Sequence, residues 1–129
     1  MAEFERTIND LGFVGTVIHV GPTLKTPDHQ DFEPLHQYRR SAEIDVPIWI
    51  HPFRSATYPD YVGGEVSRYG LWQSLGWLMD TRVAMTRLVF YGVFDRYPSI
   101  KLITHYHGAL IPAFAGHMNA MFEVFDVAG

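Results

Sequence analysis

Cysteine is absent from the 129-residue chain, which excludes disulfides and thiolate metal sites and leaves the compartment open on redox grounds. Charge is thin: 10 Lys and Arg against 14 Asp and Glu give a formal −4, with the basic residues scattered. Neither nucleic acid nor an anionic membrane is therefore an expected partner. No apolar run approaches membrane-spanning length, and Met1-Ala2-Glu3-Phe4-Glu5-Arg6 lacks the basic-then-apolar layout of a signal peptide, so a cytoplasmic location is expected. Also missing are low-complexity tracts, short-period repeats, a phosphate-binding glycine loop, a Ser-His-Asp order and paired carboxylates. Those absences set aside nucleotide and acyl-enzyme chemistry. What is present, 47% hydrophobic and 19% charged residues, suits one ordinary globular domain with a real core.

Periodicity gives the order α-β-α-β-α-β-α. A helix over residues 2–10 carries Phe4 and Ile8 on one face and stops at Gly12. The β-branched run Val14–Val20 predicts a strand, broken by Gly21-Pro22 and followed by a polar loop to Asp31. Asp31 is placed to cap a helix that admits Pro34 in its first turn, buries Leu35, Tyr38 and Ala42, and ends near Ile44. A second strand runs from Val46 to His51, and a long Gly- and Pro-containing loop occupies Pro52 to Arg68. Loops of that length in compact domains are commonly functional or mobile. A helical region over Tyr69–Tyr91 carries Leu71, Leu75, Leu78, Val83, Leu88 and Val89, with Gly76 as a break. A third strand, Ile100–Tyr106, and a last helix, Ile111–Phe125, complete the chain. Near-continuous apolar strands separated by helices predict a parallel sheet covered on both faces. Three strands are few for a doubly wound domain or an eight-stranded barrel, so an interior piece of something larger is expected. A self-contained flavodoxin-like domain is disfavoured because no phosphate loop follows a strand. Open sheet edges predict self-association or docking on a partner.

Two of the strands run into histidine, Pro47-Ile48-Trp49-Ile50-His51-Pro52 and Lys101-Leu102-Ile103-Thr104-His105-Tyr106-His107-Gly108. In parallel α/β folds the carboxyl ends of neighbouring strands converge on one face, where imidazole serves as metal ligand or acid and base. His51 is the strongest candidate, because Pro52 turns the chain out over the strand ends. Alternation would put His105 and His107 on one face and Thr104 and Tyr106 on the other, and spacing does not choose between them. His19 closes the first strand and reads as a polar cap, while His29, His36 and His117 read as surface residues. Arg54 offers a planar fork suited to a substrate carboxylate or to an exposed loop. Trp72 and Trp77 would lie beneath the long loop, where helical aromatics usually pack as core; Trp77 is also carried as a substrate-binding candidate.

The combination of Ile50-His51-Pro52, Gly92-Val93-Phe94-Asp95-Arg96-Tyr97-Pro98, Lys101-Leu102-Ile103-Thr104-His105 and Gly108-Ala109-Leu110-Ile111-Pro112 resembles the amidohydrolase-related family that includes aminocarboxymuconate-semialdehyde decarboxylase and γ-resorcylate decarboxylase. The resemblance runs through nearly the whole chain. It implies a (β/α)₈ barrel with one divalent metal, zinc or manganese, at the strand carboxyl ends. It implies nonoxidative decarboxylation or hydrolysis of a carboxylated aromatic or unsaturated small molecule. The chain would be a single partial barrel domain over 1–129, roughly three of eight strand-helix units. His51 inherits a metal-ligand role from the resemblance. The family's next histidine lies two residues before the glycine and six before the proline, which lands on Tyr106. The neighbouring histidines could substitute, so His105 and Tyr106 are the catalytic candidates and His107 joins His51 as a candidate metal ligand. The family's first-strand histidine motif and last-strand aspartate have no counterpart in residues 1–129. The alternative is a noncatalytic degenerate barrel module that works by association.

Overall fold

A computed structural model describes residues 2–29 and 34–125. In chain order the elements are α1 (Ala2–Asn9), β1 (Thr16–Val20), α2 (Pro34–Glu43), β2 (Ile48–Pro52), a π-helical turn (Trp72–Gly76), α3 (Trp77–Phe90), α4 (Val93–Arg96), β3 (Leu102–Thr104), α5 (Tyr106–Ala109) and α6 (Ile111–Phe125). The three strands form one parallel sheet in the order β1-β2-β3. The expected α/β alternation and parallel pairing are thus observed, and the cap expected at Asp31 falls outside the described residues.

The register sets the faces. Thr16, Ile18 and Val20 lie opposite Ile48, Ile50 and Pro52, and Ile48 and Ile50 lie opposite Leu102 and Thr104. Because side chains alternate along a strand, this set points one way and the set Val17, Trp49 and Ile103 points the other. The first set makes the core: Val20, Ile48 and Ile50 pack with Tyr38, Ala84, Leu88 and Val93, and Ile18 and Leu102 lie against the cluster. The second set is open, with Val17 51% and Ile103 42% exposed. The expectation of a sheet covered on both faces is therefore corrected. Among the described residues, the core occupies one face, and the beaded burial of β2 follows from that.

Helix α3 departs from its expected stripe as well. It buries Asp80, Thr81, Ala84 and Leu88, whereas Val83 and Val89 are exposed, as is Leu75 in the preceding turn. Gly76 does not break the helical region. The chain passes through it from π-helical to α-helical winding, with αR dihedrals at both Gly76 and Trp77. The loop after β1 is tied down at two points: Arg87 of α3 makes a bidentate pair with Asp28 at 2.7 and 2.8 Å, and the buried Tyr38 hydroxyl donates to the Pro27 carbonyl. Desolvation raises the Tyr38 hydroxyl far above the usual phenol value. No helix among the described residues is long and apolar enough to cross a membrane.

The third strand is shorter than expected. It ends at Thr104, and His105 takes extended dihedrals ahead of a left-handed turn in which Tyr106, His107, Gly108, Ala109 and Leu110 all have positive φ. Gly108 meets that requirement at no steric cost, and a Cβ there would also press on Pro112. A pleat cannot continue through such a turn, so the alternation expected to place His105 with His107 does not operate.

Candidate active site

The register brings three histidines into one row. His19 lies directly opposite His51 across the β1-β2 pair, and Ile50 lies opposite Thr104, so His105 follows β3 out beside His51. The ring centroids are 5.6 Å apart for His19 and His51 and 4.3 Å apart for His51 and His105. All three stand at the carboxyl ends of adjacent strands. By alternation, His19 and His51 project from the uncovered face, continuing the rows of Val17 and Trp49. His19 was expected as a polar cap; it is exposed and its ring sits against His51 and Phe53.

The tautomer of the neutral His51 ring is set by its neighbour. Its Nδ1 lies 2.6 Å from the Pro52 carbonyl oxygen, and a carbonyl can only accept, so in the neutral ring Nδ1 carries the proton and Nε2 presents its lone pair. That is the tautomer arrangement second-shell hydrogen bonds impose on metal-ligating histidines. Burial pushes the His105 imidazole below its ordinary value, with a smaller contribution from charge on His51. Both causes favour the neutral form of His105.

An aromatic wall backs the row. Trp77 sets its indole edge-on to His51 at 5.9 Å and near Tyr106 at 6.1 Å, and Trp72 packs T-shaped on Trp77 at 5.1 Å. The π-helical turn explains the Trp72–Trp77 contact. Residues five apart lie on different sides of an α-helix but nearly align where the chain is wound i to i+5. Both tryptophans are half-buried rather than core.

Of the six expected site residues, four are thus gathered: His51, His105, Tyr106 and Trp77. His107 is not among them, because the left-handed turn carries it away and leaves it exposed. The Arg54 fork faces inward. Its Nε and Nη2 donate to the two carboxylate oxygens of Asp80 at 3.0 and 2.8 Å, with Asp80 only 7% exposed at its side chain. Tyr58 covers the guanidinium face, with the ring centroid 4.6 Å from Cζ. The residue that sequence reading missed is Asp80. Its signal was a lone carboxylate in the helical region, between Trp77 and the apolar Val83 and Ala84.

The described residues contain no group of three or more His, Cys, Asp or Glu side chains that could hold a metal ion. Catalytic zinc sites need three protein ligands converging on one point, and the three histidines, strung along the strand ends, do not converge in that way, so the row alone does not make a metal centre.

Residues 1–125 match the amidohydrolase family. The chain belongs to that family. It is 35% identical over 120 residues to the decarboxylase orsB of Emericella nidulans, covering 86% of this chain and 34% of that protein. It is 28% identical over 132 residues to γ-resorcylate decarboxylase of Rhodococcus jostii, covering 95% of this chain and 40% of that protein. In three dimensions it superposes on 5-carboxyvanillate decarboxylase of Novosphingobium aromaticivorans, complexed there with manganese and 4-hydroxy-3-methoxy-5-nitrobenzoic acid. The TM-score is 0.74 at 26% identity, over 95% of this chain and 34% of the other. The three-stranded open sheet is accordingly part of a TIM-barrel amidohydrolase fold, and the chain spans about a third to two fifths of the length of these relatives. The metal in that relative is manganese, one of the two divalent metals expected for the family.

Proposed function

We propose that this amidohydrolase chain supplies one wall of a carboxy-lyase site, whose complete form removes a carboxylate from a phenolic or similarly unsaturated small molecule. The observation that carries the reading is the row His19-His51-His105, fixed by strand register at the carboxyl ends and backed by Trp77. Decarboxylase relatives support the reaction class. In this assignment Nε2 of His51 is the ligand atom for a divalent metal, which when bound would polarise the substrate's oxygens. His105 and Tyr106 face the same space, where an imidazole and a phenol could hold or pass the proton that must replace the departing carboxylate. Trp77 offers an aromatic edge against which a planar ring packs. His107 contributes no ligand in this arrangement.

Within the row His51 and His105 stand nearest each other, at 4.3 Å between ring centroids; a pair of imidazoles binds metal weakly, and the test uses that. Manganese titrated into the chain should broaden the His51 and His105 ring signals in the proton spectrum, with His107 and His117 broadened far less, and His51→Ala should abolish the effect at His105. Equal broadening at all histidines, or persistence at His105 after His51→Ala, would overturn the assignment.

A second reading is favoured by Tyr106 standing where the family resemblance expects histidine and by the open edges of β1 and β3. In that reading the chain is a noncatalytic module that pairs its edges with a copy of itself or a fuller relative. A monodisperse monomer at high micromolar concentration, with no binding of hydrophobic dyes, would count against it.

A further inference from the structure

We propose that Arg54 is a positioning residue: with Asp80 and Gly76 it forms a latch that holds the Trp77 indole against the histidine row. Three contacts converge on this one side chain and its backbone. The guanidinium is gripped bidentately by Asp80, one turn along α3 from Trp77. The Arg54 carbonyl accepts a 2.8 Å hydrogen bond from Trp77 Nε1. The stem between them crosses Gly76 so closely that a Cβ there would collide with Arg54 Cδ and lie 2.8 Å from Nε. Arg54 therefore binds α3 at Asp80 and passes closely over Gly76 in the turn before it, while its own carbonyl fixes the indole between the two.

The arrangement also explains why glycine stands at 76. Its φ of −59° and ψ of −45° suit any residue, so conformational freedom is not the reason. Close approach of the Arg54 side chain is. The fork geometry matters equally, since lysine keeps the charge but cannot make two parallel bonds to one carboxylate. Because Trp77 lies edge-on to His51, movement of the indole would change the space in front of the row. Arg54 would thus act on the site through Trp77, with its guanidinium committed to Asp80 instead of to a ligand. The functional meaning of the latch rests on the carboxy-lyase reading, but the latch itself does not, and its test needs no activity.

Tryptophan indole and histidine ring resonances, recorded on the chain as it stands, provide the test. In the unaltered protein the Trp77 Nε1 proton should exchange with solvent about tenfold more slowly than that of Trp72, for which no hydrogen-bond acceptor is found among the described residues. Arg54→Lys and Gly76→Ala should each remove that protection and shift the His51 and His105 ring signals. Ile48→Val, which loosens the core elsewhere, should leave them in place. The proposal is overturned if Trp77 is unprotected in the unaltered chain, if folded Arg54→Lys protein keeps the original Trp77 and His51 resonances, or if Ile48→Val moves them as far. Loss of manganese broadening with intact Trp77 protection would instead strike the proposed function and leave the latch standing.

Discussion

Thr81 carries a prediction whose sign is unusual for a core substitution. The residue is fully buried on the face of α3 that meets the sheet, and its hydroxyl oxygen has no hydrogen-bond partner. Burying a hydroxyl without a partner costs on the order of 1–3 kcal/mol by mutational measures. Thr81→Val keeps the β-branched shape and nearly the same helix propensity, while exchanging the stranded oxygen for a methyl group. Stability should rise by about 1–2 kcal/mol, which for a domain of this size raises Tm by roughly 3–8 °C. Urea unfolding monitored by circular dichroism measures it, with an unchanged m-value showing that the unfolded state is not the source. Thr81→Ser provides the control: it keeps the hydroxyl, removes the methyl and should destabilise by about 1 kcal/mol. A Thr81→Val protein less stable than the parent by 1 kcal/mol or more would refute the reasoning. It would mean that the hydroxyl is in fact bonded, most simply to the carbonyl one turn back in α3.

Two further outcomes follow from the site and the sheet. His105 should titrate below the ordinary histidine value, and because burial is the larger cause, His51→Gln should raise its pKa only part of the way back. The linkage is that of a depressed pKa: the stability at stake is fully present above the unfolded value of about 6.5 and is lost as pH falls through the lower folded value. Histidine signals followed by NMR across that range give both quantities, and a His105 pKa at or above 6.5 would contradict the geometry. Gly15→Ala should cost about 1–3 kcal/mol by overpacking, since the added methyl would overlap the Trp49 ring and lie 2.5 Å from the Pro47 carbonyl oxygen. Unfolding at the parent's urea midpoint would show that Gly15 does not set the approach of β1 to β2.

How far the sequence could be read depends on the range of the interaction concerned. Strands β1 and β2 were legible because β-branched runs bounded by glycine and proline state their own conformation, and their parallel pairing followed from the helices between them. The end of β3 was not legible. Four non-glycine residues adopt left-handed φ around Gly108, and nothing local in Tyr106-His107 announces it; the surrounding packing imposes that conformation against its intrinsic cost. The same turn explains why His107 was grouped with His105. His19 was undervalued for a different reason, since its place beside His51 is a matter of register, which depends on which strands pair and not on either strand alone. Likewise, the ties from Arg54 to Trp77 and Asp80 span 23 and 26 residues. They turn an exposed-looking loop arginine into a half-buried structural one.

The uncovered face of the sheet joins two features that look separate. Val17 and Ile103 are exposed apolar side chains on that face, and the same face ends in a row of histidines that does not by itself converge on a metal. In a closed (β/α)₈ barrel this face points to the interior, where layers of side chains contributed by different strands fill the space and the strand ends above them form the site. The strands that would bury Val17 and Ile103 are therefore the ones whose ends would stand across from His51. Edge closure and site completion should consequently occur together: a partner that protects the β1 and β3 backbone amides from exchange should also tighten manganese binding at His51. A partner that covers the edges without changing metal affinity would show that the apolar floor and the histidine row belong to different surfaces.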